Sequence, residues 1–339
     1  MVSLRLLTCG LVGVVAGAVL SPLFDRPVQA APASPPTRGS AITTLPANIN
    51  VPGCYYLDVS GALGAGSSAL FVNSDDVCID LCCNVLEGGG ADPGIKIGAH
   101  TNVTIRNGHL RNWSVGVAST RDVTIEDVTL TDCVRGADVG GGSRIERVDV
   151  IGGSERGLVV DDFSVLRDCR VFVLPRATFG VEATNSCSLE RVDVLGGDTG
   201  IQVTANGVVR DCTVSSTGAA ALLVGPFSRI DRVIARGGSA DAFVVQGRSR
   251  VVDCGARGFP SGAGVRVVGD GCQVENCTVD SCAQGIVLES KDALCVRNRA
   301  IDNTTDFVLG PNNQVGPILK SQGFVTGGQP HANFGTPIP

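Results

Sequence analysis

Four carboxylates have the type and spacing to do chemistry: Asp138, Asp161, Asp162 and Glu182. Asp138 and Glu182 take the same place in two repeats of the sequence, and Asp161-Asp162 closes the repeat between them. Stacking at strand spacing would put Asp138 and Glu182 ~9.6 Å apart. Carboxyl groups ~6.5–9.5 Å apart can act as acid and base in inverting glycoside hydrolysis. The same oxygens, those of Asp161 and Asp162 above all, could hold Ca²⁺. Trp113, the single tryptophan, is the candidate for stacking on a sugar ring. Its competing role is packing against a neighbouring repeat.

The elements that must position these groups come from a repeat. A short apolar segment, usually opened by glycine, begins at Ala69, Gly94, Gly116, Gly136, Gly157, Gly180, Gly200, Ala221, Ala242, Gly264, Gly285 and Asp306. The period stays close to 21 residues, which indicates a solenoid. Inside each period lie two further runs, such as Val-Thr-Ile-Glu-Asp-Val-Thr-Leu at 123–130 and Val-Leu-Arg-Asp-Cys-Arg-Val at 165–171. Both alternate with the period of a strand. Each coil therefore has three short strands and three bends, and equivalent residues stack ~4.8 Å apart. The outward column of the first strand reads Lys96, Ala118, Asp138, Val159, Glu182, Gln202, Leu223, Val244, Arg266, Val287 and Val308. Leu223 and Val244, extended by Val287 and Val308, are apolar where solvent is expected, and call for a cover. The C-terminal tail from Gly323 is long enough to lie over them, and a partner protein is the other option.

Stacking also accounts for most of the charge and the cysteines. The residue between the second and third strands runs Asn107, Asp127, Arg147, Asp168, Arg191, Asp211, Arg232, Asp253, Asn276, Asn298. From Asp127 to Asp253 the sign alternates, so each charge meets opposite charges above and below, a structural ladder that fixes register. Cys169, Cys212, Cys254 and Cys277 share the next inward position with Val128, Val148, Val192 and Val233, which marks a core site. Cys254 and Cys277 fall on adjacent coils within bridging distance, but their side chains point the same way rather than at each other.

Met1–Arg5, the apolar run Leu6–Leu20 and Val-Gln-Ala at 28–30 have the layout of a secretory signal peptide. Residues 31–40 read as a Pro/Ala/Ser linker. The expected location is secreted, extracellular or periplasmic, with no membrane insertion of the mature chain. Export permits disulfides, and removal of Cys9 leaves thirteen of the 14 cysteines, an odd number. A net charge of −6 gives no footprint for nucleic acid. Forty-five glycines argue for many turns and against long helices.

The period, the strand alternation and the turn positions together resemble the right-handed parallel β-helix of the pectate-lyase type. The likeness covers Ala69 to Leu309, with 41–68 as an N-terminal cap and 310–339 as a C-terminal cap and tail. The flanks Ile42–Leu57, Asn-Val-Thr-Ile-Arg-Asn-Gly at 102–108 and Pro-His-Ala-Asn-Phe at 330–334 are similar to a family of exported bacterial β-helix repeat proteins without assigned function. The fold implied is an all-β, single-stranded solenoid of about twelve coils, monomeric or weakly associated. Polygalacturonases carry Asn-Thr-Asp, Gly-His-Gly and Arg-Ile-Lys. This chain has no such triplets at the cluster, and Arg144-Ile145-Glu146 stands in place of the basic ending. The calcium and arginine motifs of pectate lyases and the epimerase Asp-Pro-His are also missing. The expected function is a non-catalytic protein, without a cofactor, that binds a surface polysaccharide or an envelope protein. The alternative is a calcium-assisted polysaccharide lyase or glycoside hydrolase using Asp138, Asp161, Asp162 and Glu182.

Overall fold

The computed structural model describes residues 39–319 and 331–336. The expected signal peptide and most of the linker lie outside the described residues. The described chain is all-β, without helix, and its strands pair in parallel. They wind into a right-handed β-helix of about thirteen turns, ~21 residues apart. Pairing extends past 69–309 on both sides. Ala47–Ile49 pairs with Leu70–Val72, and Gly53–Tyr56 with Val77–Asp80. At the other end Gln314–Val315 pairs with Leu294–Cys295. These flanks lack clear alternation, yet they complete coils and stack in register.

Most corners are turned by a residue in the left-handed region. At the bend between the second and third strands φ runs from 52° at Arg147 to 60° at Arg297. Asn and Asp tolerate that conformation better than other side chains with a Cβ, and they dominate the corners. One assignment shifts here. The corner residue of the last ladder coil is Arg297, not Asn298. Asn298 takes the inward position next to it and is fully buried. It accepts from the Cys277 backbone N–H (2.9 Å) and donates to the Val274 carbonyl (2.9 Å). Hydrogen bonds to backbone are what make a buried amide tolerable in a column of Val and Cys.

The core is a set of aliphatic columns, such as Ile105, Ile125, Ile145, Leu166, Leu189, Val209 and Ile230, each buried. The recurring first-strand glycine answers to space rather than backbone freedom. A Cβ at Gly157 would stand 2.3 Å from the Gly180 carbonyl oxygen and from Val171 Cγ1 of its own coil.

Cys169, Cys212, Cys254 and Cys277 are buried in the core as expected, and Cys254 and Cys277 are free thiols. A disulfide does cross two coils elsewhere, between Cys54 and Cys78, which face each other in register. Cys82 and Cys83 are the exposed free thiols among the described residues.

Candidate functional site

The outward column of the first sheet is as the repeat predicts. Ala118 pairs with Lys96 and Asp138, Asp138 with Val159, Val159 with Glu182, and Glu182 with Gln202. Asp138 and Glu182 therefore lie two rises apart, ~9.6 Å, with Val159 between them. The corner after Val160 places Asp161 and Asp162 at the edge of the same face.

Three of these four carboxyl groups are already engaged. Asp138 Oδ2 accepts from Arg135 Nη1 at 2.9 Å, and Arg135 also forks onto both oxygens of Glu155 at 3.0 and 3.1 Å. Arg156 Nη1 lies 2.8 Å from Glu182 Oε2, with its guanidinium 5.7 Å from the Phe179 ring centroid. Asp162 Oδ1 accepts from the Asn185 backbone N–H (2.8 Å) and side-chain amide (3.1 Å). The Thr184 hydroxyl, followed by these Asn185 donors, holds Asp162 below the usual carboxylate range. Asp161 differs. Partial burial first, then the charges of Asp138 and Asp162, raise its carboxyl above the ordinary value. Sequence reasoning found the four acids and missed Arg135 and Arg156, which pair with Asp138 and Glu182, and Glu155, which shares Arg135. Arg135 and Arg156 stand in one register position on adjacent coils, each just before the glycine of its strand.

Among the described residues no three His, Cys, Asp or Glu side chains come together closely enough to hold a metal ion. Asp161 and Asp162 would have to complete a calcium shell from carbonyls, water or a bound ligand.

Trp113 does not offer a sugar platform. Its side chain is 1% exposed and its indole N–H donates to the Leu86 carbonyl at 3.0 Å. The ring lies over Gly88 of the previous coil, where a Cβ would come within 2.3 Å of it. The indole is thus a core filler turned inward at a corner.

The tail expectation also changes. Asn333–Phe334 pairs with Arg299 and with Ile318–Leu319, so this stretch continues the stack at its C-terminal end instead of lying over Leu223 and Val244. The rest of the tail is outside the described residues. Leu223 and Val244 are neighbours in register, but Arg266 separates them from Val287.

The ladder is present and richer than predicted. Arg147 forks onto Asp127 (2.7 and 2.9 Å), Arg191 onto Asp168 (2.6 and 3.0 Å), and Arg232 onto Asp211 (2.6 and 2.8 Å). Each arginine thus bonds the aspartate of the preceding coil, not both neighbours equally. Asn276 donates to Asp253 at 2.5 Å, and Arg297 pairs instead with Glu275. A second column that the sequence reading passed over runs beside it. Asp80 pairs with Arg106, and Glu146 and Glu190 flank Arg167. Asp80, Glu146, Asp231 and Glu275 in that column are buried to below a tenth exposure.

No family model matches the chain, and no curated protein matches it. Among solved structures, the chain is similar to the A-module of the Azotobacter vinelandii mannuronan C-5 epimerase AlgE6. Identity is 13%, the TM-score is 0.52, and the match covers 85% of this chain and 91% of that one. The AlgE4 A-module of the same organism matches at 15% identity and TM-score 0.46, over 84% and 86%. At these identities the likeness is one of fold. It is a parallel β-helix.

Proposed function

We propose that the chain is an exported, non-catalytic β-helix protein that binds a surface polysaccharide in the extracellular space or periplasm. The observation that carries this reading is the state of the four carboxylates. Asp138 and Glu182 are spent on arginines, and Asp162 is spent on Asn185. A general acid or base must be free to take and return a proton at the substrate. What remains is a rigid, charge-compensated face with regular axial spacing, suited to an extended repeating ligand. That the fold is shared with modules named for a polysaccharide epimerase is consistent with such a ligand. A protein partner at the envelope is the competing ligand.

Asp161 supports a second reading, the calcium-assisted lyase or glycoside hydrolase, because its carboxyl is the one held up and unpaired. One assay separates the two. The full chain is incubated with neutral and acidic polysaccharides, with and without Ca²⁺, and both retention and products are measured. Binding without unsaturated products or new reducing ends is expected. Turnover abolished by Asp161→Ala would replace the binding reading with the enzymatic one.

A further inference from the structure

We infer that the edge between the first and second sheets carries a binding strip for a neutral β-linked glycan, bounded by Phe163 and Phe227. This inference rests on the polysaccharide reading above and names the place and the ligand class. Phe163, Ser186, Asn206, Phe227 and Arg248 are corner residues of successive coils, each donating its backbone N–H to the coil that follows. All five sit at φ between 55° and 63°. Other coils fill this corner with Gly142, Gly271, Asp292 and Asn312, residues suited to the left-handed region. A phenylalanine there is conformationally costly for a bulky side chain. Packing does not repay it, since Phe163 is 71% and Phe227 55% exposed.

The two rings are three coils apart, ~14 Å at strand spacing. Between them stand Ser186 and Asn206, with Thr204 beside them, all uncharged and all able to donate and accept hydrogen bonds. Arg248 lies 5.6 Å from the Phe227 centroid and braces that ring from the next coil. Apolar rings at the ends and hydroxyl or amide groups between them match what a pyranose chain presents: CH faces and hydroxyls. An extended β-1,4-linked chain advances per sugar by nearly the step of one coil. A tetrasaccharide therefore spans both rings, and a disaccharide reaches one. The exposed Asp161 next to Phe163 disfavours a uronate chain.

The test uses calorimetric titration of the full chain with cellobiose, cellotetraose, mannobiose and mannotetraose, and gel retardation with polygalacturonate. The variants are Phe163→Asn and Phe227→Asn, which install the residue this corner already accepts at Asn206, so thermal melting should not fall. A tetrasaccharide is expected to bind roughly tenfold tighter than its disaccharide. Either variant should erase that difference while keeping its melting temperature. Tetrasaccharide binding unchanged in both variants overturns the strip. Retention of polygalacturonate alone, insensitive to both substitutions, also overturns it and leaves the broader polysaccharide reading standing. No binding to any of these glycans overturns both.

Discussion

At the scale of single residues, position in the coil decides chemistry more than residue type does. Burial pushes the Cys133 thiol up to about 11, and those of Cys169, Cys212 and Cys295 up to about 12. The thiolate is the reactive form, so these cysteines should be inert in the folded chain. A charged maleimide is expected to label Cys82 and Cys83 first, with the buried thiols reacting only after denaturation. Peptide mapping of native, partly labelled protein reads this directly, and early label on Cys169 or Cys212 would contradict the core assignment. Arg191 gives a second test. It forks onto Asp168, with Asp211 on its other side. Arg191→Asp should lower the melting temperature more than Arg191→Gln at low salt, with the gap closing as salt screens the repulsion. Also changing Asp168 and Asp211 to Arg should recover part of the loss, because contacting sites couple. The alternation was visible in the sequence because stacked charges of one sign repel. The one-residue error at Asn298 arose because its coil puts Arg297 in the corner, and an Asn imitates a corner residue in a linear pattern. Trp113 stood as a sugar-stacking candidate beside its packing role because no pattern announces that Gly88, a full coil earlier, leaves room for an indole.

At the scale of strands and columns, the ladder makes acid a specific stress. Hydrogen bonding to Arg191 holds Asp168 low, and hydrogen bonding to Arg232 holds Asp211 low. A carboxyl depressed in the folded state contributes stability above its unfolded value, ordinarily near 3.8, and loses it as pH falls through the folded value. Stability should therefore drop below about pH 4, and Arg191→Gln should flatten part of that drop. Melting curves between pH 2 and 7 for the two proteins check the sign. The N-terminal coils carry a different device. The Cys54–Cys78 bond closes a loop with a sequence separation of 24, for which chain entropy predicts about 3 kcal/mol of stabilisation. Cys54→Ser should lose about that much in guanidinium titrations of the first coils. Reductant should reproduce the loss in the parent and add nothing in the variant. This pairing was not legible from the cysteine count. It follows only once 54 and 78 are known to be equivalent positions, and the irregular flank hid that equivalence. The arginines that tie down Asp138 and Glu182 were hidden in another way. Arg135 and Arg156 precede the glycine of their strands, just outside the pattern used to define the outward column.

At the scale of the whole molecule, each coil of the described solenoid touches mainly its two neighbours, so stability is close to a sum of coil terms and interfaces. The period alone sufficed to establish this architecture, because a one-dimensional stack repeats the same burial problem and therefore the same answer. The consequence for stability depends on where a defect falls. Leu189 and Ile286 are both fully buried, the first near the middle of the stack and the second one coil from the last first-sheet strand. Truncating either to alanine should remove about 2–5 kcal/mol of local packing. At Ile286 the coils beyond the defect are few, so they can fray while the remainder keeps its interfaces. At Leu189 about half the stack lies on each side, and neither half can be shed cheaply. Ile286→Ala should therefore raise hydrogen exchange only from about Cys277 onward and leave the main melting transition within a few degrees of the parent. Leu189→Ala should lower the main transition outright, or split it in two if the interface at that coil becomes the weakest in the stack. Exchange monitored by mass spectrometry, with calorimetry on the same samples, distinguishes these outcomes. Equal effects from both substitutions, with exchange rising evenly along the chain, would mean that the solenoid unfolds as one block and that nearest-neighbour coupling is not what limits it.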